Sequence, residues 1–136
     1  KPQFQMASKW GLDINQYEKF LCLIITFLNS HQPESSLIHG DLWNGNCGVG
    51  INNKGLLFDP ASYWGDREID IAMSTLFGGF KTEFFQGYEE IWPLPKNSVT
   101  RSSIYNLYHL LNHANIFGGS YKQTSLKILK DLRNLN

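Results

Sequence analysis

The sequence predicts an α+β, mainly helical fold that carries one small β-hairpin. Apolar residues recur at helical spacing over most of the chain, which is typical of amphipathic helices. Two short apolar runs, residues 47–51 and 56–58, are joined by N-N-K-G, and Asn and Gly tolerate the backbone conformations of a hairpin turn. Apolar residues make up 42% and aromatic residues 14% of the 136 positions, which is enough for a folded core. The length fits a single domain or one lobe of a larger protein.

The first helix is predicted between Tyr17 and Leu28 and ends near Asn29. Its residues are apolar almost all round, so we expect it to be buried on several sides. The polar segment H-Q-P-E-S-S then links it to Leu37-Ile38, a short apolar run that leads into a polar loop.

Four further helices are predicted after Asp66. The first ends at Gly78-Gly79, the second is capped by Thr82 and ends at W-P-L-P, and the third starts at Asn97 or Ser98 and ends at Gly118-Gly119. One face of the first helix is shared by Ile69, Ala72, Met73 and Leu76, and the second helix carries Phe84, Phe85 and Tyr88. The third has Ile104, Leu107, Tyr108 and Leu111 along its inner face, and the terminal helix is marked by Leu126, Leu129 and Leu132.

Composition excludes several classes of partner. Lys plus Arg and Asp plus Glu number 12 each, so the net charge is zero and no basic field favours nucleic acid or an anionic membrane surface. The most apolar stretch, residues 20–28, is too short for a membrane span. Cys22 and Cys47 could form a disulfide, but the sequence favours a reduced pair in a cytoplasmic protein. The start K-P-Q-F-Q-M has neither an initial Met nor a signal-peptide layout, which is typical of a chain entered in mid-course.

Residues 38–46, I-H-G-D-L-W-N-G-N, place His39, Asp41 and Asn46 on one glycine-containing loop. This spacing matches the catalytic-loop pattern of kinases, in which the Asp accepts the proton of the substrate hydroxyl and the Asn binds Mg²⁺. Mg²⁺ prefers oxygen ligands and bridges the phosphates of ATP, so a second carboxylate is needed. The predicted hairpin supplies Asp59, which follows a strand that we expect to be buried and returns the chain close to the loop.

A polar turn is the alternative interpretation of the same residues. His39 and Asp41 would then cap local backbone groups, and Asp59 would be an ordinary turn residue before Pro60. The H-x-D pattern alone is a weak signal. Its combination with an Asn five residues after the Asp, and with an apolar strand that ends in Asp, is far more restrictive and favours phosphoryl transfer.

The stretch L-I-H-G-D-L-W-N-G-N resembles the loop of the aminoglycoside-phosphotransferase-like kinases. Three further stretches, D-P-A-S-Y-W-G-D-R-E-I-D-I-A-M, L-F-G-G-F and Y-N-L-Y-H-L-L-N-H-A-N-I-F-G-G-S-Y, narrow the resemblance to the fructosamine kinase (ketosamine 3-kinase) family over about residues 35–121. The resemblance implies a protein-kinase-like fold and ATP-dependent phosphorylation of a ketoamine sugar, the adduct that forms when a sugar glycates an amine. The implied acceptor is the third hydroxyl of the sugar, and the unstable product frees the amine.

By matching positions, the resemblance also implies roles for individual residues. Asp41 would be the catalytic base. Asn46 and Asp59 would bind Mg²⁺ and, with it, the nucleotide. His39 would hold the shape of the loop by hydrogen bonds, and Asp70 would support the loop by accepting its backbone N–H bonds.

Two residues are assigned to the substrate. Trp43 resembles the family's tryptophan at the sugar site, although core packing explains a tryptophan equally well. His113 shares a helix with Tyr108, His109 and Asn112 at a spacing of three to four residues, so these side chains could line one wall of the cleft. Helix packing explains their spacing at least as well.

Two positions depart from the protein-kinase pattern, and the role of a third stretch stays open. Gly40 stands where many protein kinases have an Arg that pairs with a phosphorylated activation loop, so we do not expect that form of control. Pro60 follows Asp59 and stiffens the turn. Residues 66–68 correspond to a stretch near the family's acceptor site, but a helix N-terminus favours carboxylates in its first turn, so we favour a structural role.

A kinase also needs a Gly-rich loop over the phosphates and a strand lysine paired with a helix glutamate. The stretch G-V-G-I-N-N lacks the third glycine, and no V-A-I-K-like lysine precedes the catalytic-loop pattern. The sequence therefore predicts that residues 1–136 are the C-terminal, acceptor and metal-binding lobe, without the N-terminal ATP-clamping lobe and inactive alone. The apolar surface left exposed predicts self-association.

Two other functions stay open at the level of sequence. A related kinase could act on another small hydroxyl substrate of the aminoglycoside, choline or homoserine type. The chain could also be a non-catalytic truncated module that binds only a metal or a partner.

Overall fold

The computed structural model describes residues 2–133, except the side chains of residues 14, 16 and 19. It is mainly helical, as predicted, with two small two-stranded sheets. In chain order the elements are α1 (Pro2–Ala7), α2 (Glu18–Asn29), β1 (Ser35–Ile38), β2 (Cys47–Val49), β3 (Gly55–Leu57), β4 (Tyr63–Asp66), α3 (Glu68–Leu76), α4 (Thr82–Ile91), α5 (Ser98–Phe117) and α6 (Ser120–Arg133). None of the helices in the described part is long and apolar enough to cross a membrane.

The chain divides into two compact units. The first combines the residues up to 32 with those from 103 onward, and the second comprises residues 33–102. The first unit is built around one apolar cluster contributed by α1, α2, α5, α6 and the turns between α1 and α2, which comprises Phe4, Ala7, Leu12, Tyr17, Phe20, Leu107, Leu111, Leu129 and Leu132.

Side-chain amides connect α1 to α5 inside the first unit. Asn115 donates to the backbone and side-chain oxygens of Gln3 at 3.0 and 2.7 Å, and accepts a bond from the indole N–H of Trp10 at 2.8 Å. Gln3 in turn donates to Asn112 at 3.1 Å. The side chain of Asn112 therefore takes part in helix packing, the second of the two roles weighed for it.

Two antiparallel strand pairs organise the second unit. The predicted hairpin is confirmed: Cys47 pairs with Leu57 and Val49 with Gly55 across the turn. β1 pairs with β4, with Ser35 opposite Asp66 and Ile38 opposite Tyr63. This second pairing, which the sequence analysis did not predict, brings the residues before α3 alongside the strand that leads into the polar loop.

The expected burial of α2 is wrong for this unit. Phe20 lies in the apolar cluster, and Leu21 and Ile24 pack against it. On the other faces of the helix Leu23 and Ile25 are 52% and 50% exposed. An apolar pattern that extends round the whole helix does not specify which faces are covered, and here the cluster covers a single stripe.

The strand before Asp59 was expected to be buried, and this expectation is also wrong. Leu56, Leu57 and Phe58 are all exposed. β3 pairs only with β2 among the described strands. Successive side chains of a strand point to opposite faces, so a sheet of two short strands leaves such a run largely uncovered.

The predicted cap of α4 needs a smaller correction. Thr82 is the first residue of the helix, and the capping position is Lys81, which makes no side-chain capping hydrogen bond. The helix still begins here because Lys81 has extended backbone geometry and Phe84 donates its N–H to the Lys81 carbonyl at 3.0 Å.

Candidate active site

The polar loop is anchored at its start by a carboxylate from α3. Asp70 accepts hydrogen bonds from the backbone N–H groups of His39 and Gly40, at 2.7 Å to Oδ2 and 2.9 Å to Oδ1. Hydrogen bonds to an ionised carboxylate are stronger than neutral ones. Asp70 lies in the first turn of α3, where the helix dipole also favours a negative charge. The carboxylate therefore fixes two consecutive backbone groups of the loop.

Gly40 gives the loop its tight approach to the segment after β3. Its φ is 80°, and a Cβ placed on it would overlap the carbonyl oxygen of Ala61. The N–H of Ala61 donates to the carbonyl of His39 at 2.9 Å, so the two segments are also bonded through their backbones. The Arg found at this position in many protein kinases would not fit this backbone arrangement.

His39 connects the loop to the residues before Asp59. Its Nδ1 accepts the N–H of Asp41 at 3.3 Å, and its Nε2 lies 3.1 Å from the carbonyl oxygen of Phe58. Both bonds are satisfied by the neutral tautomer that carries its proton on Nε2, because Nδ1 must then be the acceptor. Both ring nitrogens of His39 are hydrogen-bonded to backbone groups, so the side chain stabilises the conformation of the loop.

Asp41 and Asn46 form the central pair of the loop. The amide nitrogen of Asn46 donates to the backbone carbonyl of Asp41 and to its carboxylate Oδ2, both at 2.9 Å. Asn46 is buried, with 6% of its surface exposed. Because both amide hydrogens are directed at Asp41, the carboxamide oxygen points away from it. Asp41 keeps its second carboxylate oxygen outside this pair of bonds.

Asp59 directly follows Phe58, whose backbone is hydrogen-bonded to that of Asn46. The N–H of Phe58 donates to the Asn46 carbonyl at 3.1 Å, and the chain then turns at Asp59 with a φ of 54°. Asp is among the few residues that visit this left-handed region routinely. The carboxylate of Asp59 belongs to an exposed residue. The structure thus brings together the backbones of the loop and of the segment that carries Asp59.

The oxygen atoms offered by these residues suit a hard divalent cation. The carboxamide oxygen of Asn46 and the carboxylate of Asp59 are ligands that Mg²⁺ prefers. The donor set therefore fits the metal that the sequence analysis assigned to these two residues. The roles of Asp41, Asn46 and Asp59 themselves stay predictions.

Trp43 is an exposed aromatic residue of the loop. It is 40% exposed, and its ring meets Phe77 edge-on, with centroids 6.2 Å apart and an angle of 76° between the planes. This exposure does not fit a residue whose only role is core packing. A role at a substrate surface stays a prediction.

His113 lies in the first unit, whereas the polar loop lies in the second. Its Nδ1 is 2.8 Å from the carbonyl oxygen of His109, and its ring contacts Phe117 and Tyr121 at centroid distances of 5.7 and 5.1 Å. These contacts describe helix packing within the first unit. A substrate wall that includes His113 stays a prediction.

Residues 66–68 hold the second unit together. Glu68 and Arg101 form a bidentate ion pair with two contacts of 2.7 Å, and only 1% and 4% of their surfaces are exposed. Arg67 donates to the carbonyls of Trp92 and Pro93 at 2.8 and 2.7 Å. These are the structural contacts favoured for this stretch. Arg101 was not singled out, because a lone Arg in an amphipathic helix has no distinguishing pattern.

Comparisons with known proteins give consistent matches over almost the whole chain. The family model for fructosamine kinase matches residues 1–135. A protein of Vibrio cholerae named "probable ketoamine kinase" is 48% identical over 130 residues, which are 96% of this chain and 45% of that protein. A protein of Vibrio parahaemolyticus with the same descriptive name is 51% identical over 129 residues, which are 94% of this chain and 44% of that protein.

Two solved structures show the same fold. A protein of Haemophilus somnus named "putative fructosamine-3-kinase" superposes with a TM-score of 0.82 at 37% identity, over 96% of this chain and 45% of the other. A protein of Thermobifida fusca with the same name superposes with a TM-score of 0.78 at 29% identity, over 97% of this chain and 47% of the other. Over the matched part, the fold is thus that of these two solved structures. The chain belongs to the fructosamine kinase family, and it spans less than half the length of these relatives.

Proposed function

We propose that this chain is the acceptor and metal-binding part of an ATP-dependent ketoamine kinase, a fructosamine or ribulosamine 3-kinase. The observation that carries the proposal is the Asp41–Asn46 pair. One carboxylate oxygen of Asp41 accepts the Asn46 amide at 2.9 Å, and the other lies outside this pair of bonds. A base needs such an oriented carboxylate, and a metal ligand needs an oxygen whose direction is fixed.

In the proposed reaction a hydroxyl of the ketoamine attacks the γ-phosphorus of ATP. The O–P bond to the sugar forms as the bond to ADP breaks, and the hydroxyl proton passes to the carboxylate of Asp41. Asn46 and Asp59 would hold Mg²⁺, which when bound neutralises charge on the phosphates. His39 and Asp70 keep the loop in place through the backbone bonds described above. Trp43 offers an aromatic face to the apolar C–H groups of the acceptor.

The chain supplies only part of this machinery. Its sequence holds no Gly-rich phosphate loop and no paired strand lysine, and it spans 45% of the Haemophilus somnus structure that it matches. The test therefore uses a chimera in which residues 2–133 replace the matching segment of that relative. We expect the chimera to phosphorylate a fructosamine or ribulosamine in the presence of Mg-ATP, and the isolated chain to show no turnover.

The decisive variant is Asp41→Asn in the chimera. The amide keeps an acceptor oxygen for Asn46 but cannot take the proton, so kcat should fall by about 10²- to 10⁴-fold. Asp131→Asn, which alters an exposed carboxylate on α6, is the matched control and should leave kcat unchanged. Retained turnover in Asp41→Asn would exclude Asp41 as the base.

A panel of acceptors separates this proposal from its alternatives. Phosphorylation of an aminoglycoside, choline or homoserine without phosphorylation of a ketoamine would show a related kinase with another acceptor. Calorimetric titration of the isolated chain with Mg-ATP should give weak or undetectable binding. Strong binding by the isolated chain would contradict the proposal that the nucleotide clamp is missing.

Self-association belongs to the same proposal. Val49, Ile51 and Leu57 are exposed on the hairpin of the second unit, together with Leu56 and Phe58. Apolar surface of this kind favours association in water. Light scattering of the isolated chain should show a mass that rises with concentration, and a constant monomer mass would count against the proposal.

A further inference from the structure

The turn that follows α3 contacts the polar loop at two neighbouring points. Phe77, the first residue after the helix, meets the ring of Trp43 edge-on at 6.2 Å. Two residues later Gly79 adopts a φ of 95°, and a Cβ placed on it would overlap the side chain of Asn44. The turn therefore faces two consecutive side chains of the loop. Phe77 contacts Trp43 with its ring, and Gly79, which has no side chain, leaves room for Asn44.

The Trp43 ring also lies against a glycine of its own loop. A Cβ placed on Gly45 would overlap the six-membered part of the indole. The ring is therefore held at Gly45 and at the edge contact with Phe77. Trp43 and Phe77 are each 40% exposed, so part of each side chain still faces solvent. This arrangement holds the indole in one orientation while leaving part of it open to a ligand.

We propose that Phe77 is a positioning residue for the acceptor, an inference that rests on the proposed function. It fixes the orientation of the Trp43 indole, and through that ring it sets the affinity for the ketoamine. Gly45 and Gly79 permit the approach of the loop side chains that this contact requires. Loss of the Phe77 ring from an aromatic pair of this geometry should weaken ketoamine binding by about 2- to 10-fold.

The contact between Trp43 and Phe77 is tested directly on the 136-residue chain. Labelling with 5-fluorotryptophan gives one ¹⁹F resonance for each of the four tryptophans, and Trp43→Phe identifies the resonance of residue 43. Phe77→Ala should shift that resonance, whereas Phe77→Tyr, which keeps the ring, should leave it near its original position. Phe85→Ala removes an edge contact with Phe84 inside α4 and is the matched control. An unmoved Trp43 resonance in Phe77→Ala would overturn the inference.

Acceptor binding is tested in the chimera by a double-mutant cycle. Phe77→Ala should raise the KM for the ketoamine by about 2- to 10-fold, with the KM for ATP and kcat unchanged. In a Trp43→Ala background the same substitution should have no further effect, because its partner is gone. An equal rise in both backgrounds would show that Phe77 acts independently of Trp43 and would overturn the inference.

The two proposals fail in different ways. If the unsubstituted chimera phosphorylates no ketoamine, the proposed function fails, and a shifted ¹⁹F resonance would still show the contact of Phe77 with Trp43. If the chimera is active and Phe77→Ala changes neither the resonance nor the KM, the proposed function stands and the role of Phe77 is excluded.

Discussion

The two units of the chain differ in what stabilises each of them internally. The first is built on an apolar cluster of side chains from four helices. The second buries apolar side chains such as Ile71 and Met73 and adds directed polar contacts: Asp70 with two loop N–H groups, the buried Glu68–Arg101 pair, and Arg67 with two carbonyls. Apolar packing tolerates a change of partner of similar volume, whereas a buried charge requires its own partner. The unit with the candidate site should therefore be the less tolerant of conservative substitutions.

Breaking the buried ion pair should have the largest effect. Arg101→Leu removes the guanidinium that pairs with the buried Glu68 carboxylate and should reduce the free energy of unfolding by about 3–5 kcal/mol, measured by urea denaturation. The double variant Glu68→Met with Arg101→Leu removes both charges and should recover most of this loss. Equal destabilisation of the single and double variants would contradict the comparison.

The apolar cluster should respond to volume instead of charge. Leu111→Ala creates a cavity at a fully buried side chain and should reduce the free energy of unfolding by about 2–5 kcal/mol. Leu111→Met keeps the volume and should reduce it by less than about 1.5 kcal/mol. A large loss in the Met variant would mean that the first unit is packed as specifically as the second.

Gly40 tests the backbone of the loop. Gly40→Ala combines a left-handed φ with an overlap on the Ala61 carbonyl and should reduce the free energy of unfolding by about 2–4 kcal/mol. The same substitution at Gly87, which lies within α4 with open space around it, should increase it by about 0.5–1 kcal/mol. Opposite signs in denaturation experiments are the expected result, and two stabilising changes would exclude the close approach at Gly40.

Among the disruptive substitutions, the smallest effect is expected at Asp70. Asp70→Asn keeps the shape but weakens two charge-assisted bonds, so the free energy of unfolding should fall by about 1.5–3 kcal/mol. Hydrogen exchange at the N–H groups of His39 and Gly40 should become faster. Asp131→Asn is again the control, and unchanged exchange at the loop would show that the carboxylate charge is dispensable.

Local signals account for most of what the sequence predicted. The helices from α2 onward follow from apolar spacing and glycine stops, and the hairpin follows from N-N-K-G between two apolar runs. Burial was predicted less well: the sequence of residues 56–58 is that of a buried strand, yet its sheet has only one partner strand in the described part. The number of layers that cover a strand is a tertiary property, and it cannot be predicted from three consecutive apolar residues.

The residues of the candidate site also divide into those that local sequence signals predict and those whose contacts depend on tertiary structure. Asp41, Asn46 and Asp59 were singled out because a spacing rule for phosphoryl transfer exists. Phe77 and Gly45 were not, because their contacts depend on where the turn after α3 meets the loop. Arg101 was missed because its partner, Glu68, is 33 residues away in sequence and no periodicity links them.

The hydrogen bonds of Asn46 favour a carboxamide at that position, although a carboxylate would be the stronger ligand for the divalent cation proposed there. An Asp at residue 46 would set two carboxylates face to face where a donor and an acceptor now meet at 2.9 Å. Two such carboxylates would repel one another, which the neutral carboxamide avoids. The Asn46 side chain instead donates to Asp41, and this contact would leave Asp41 oriented for its proposed role as the base.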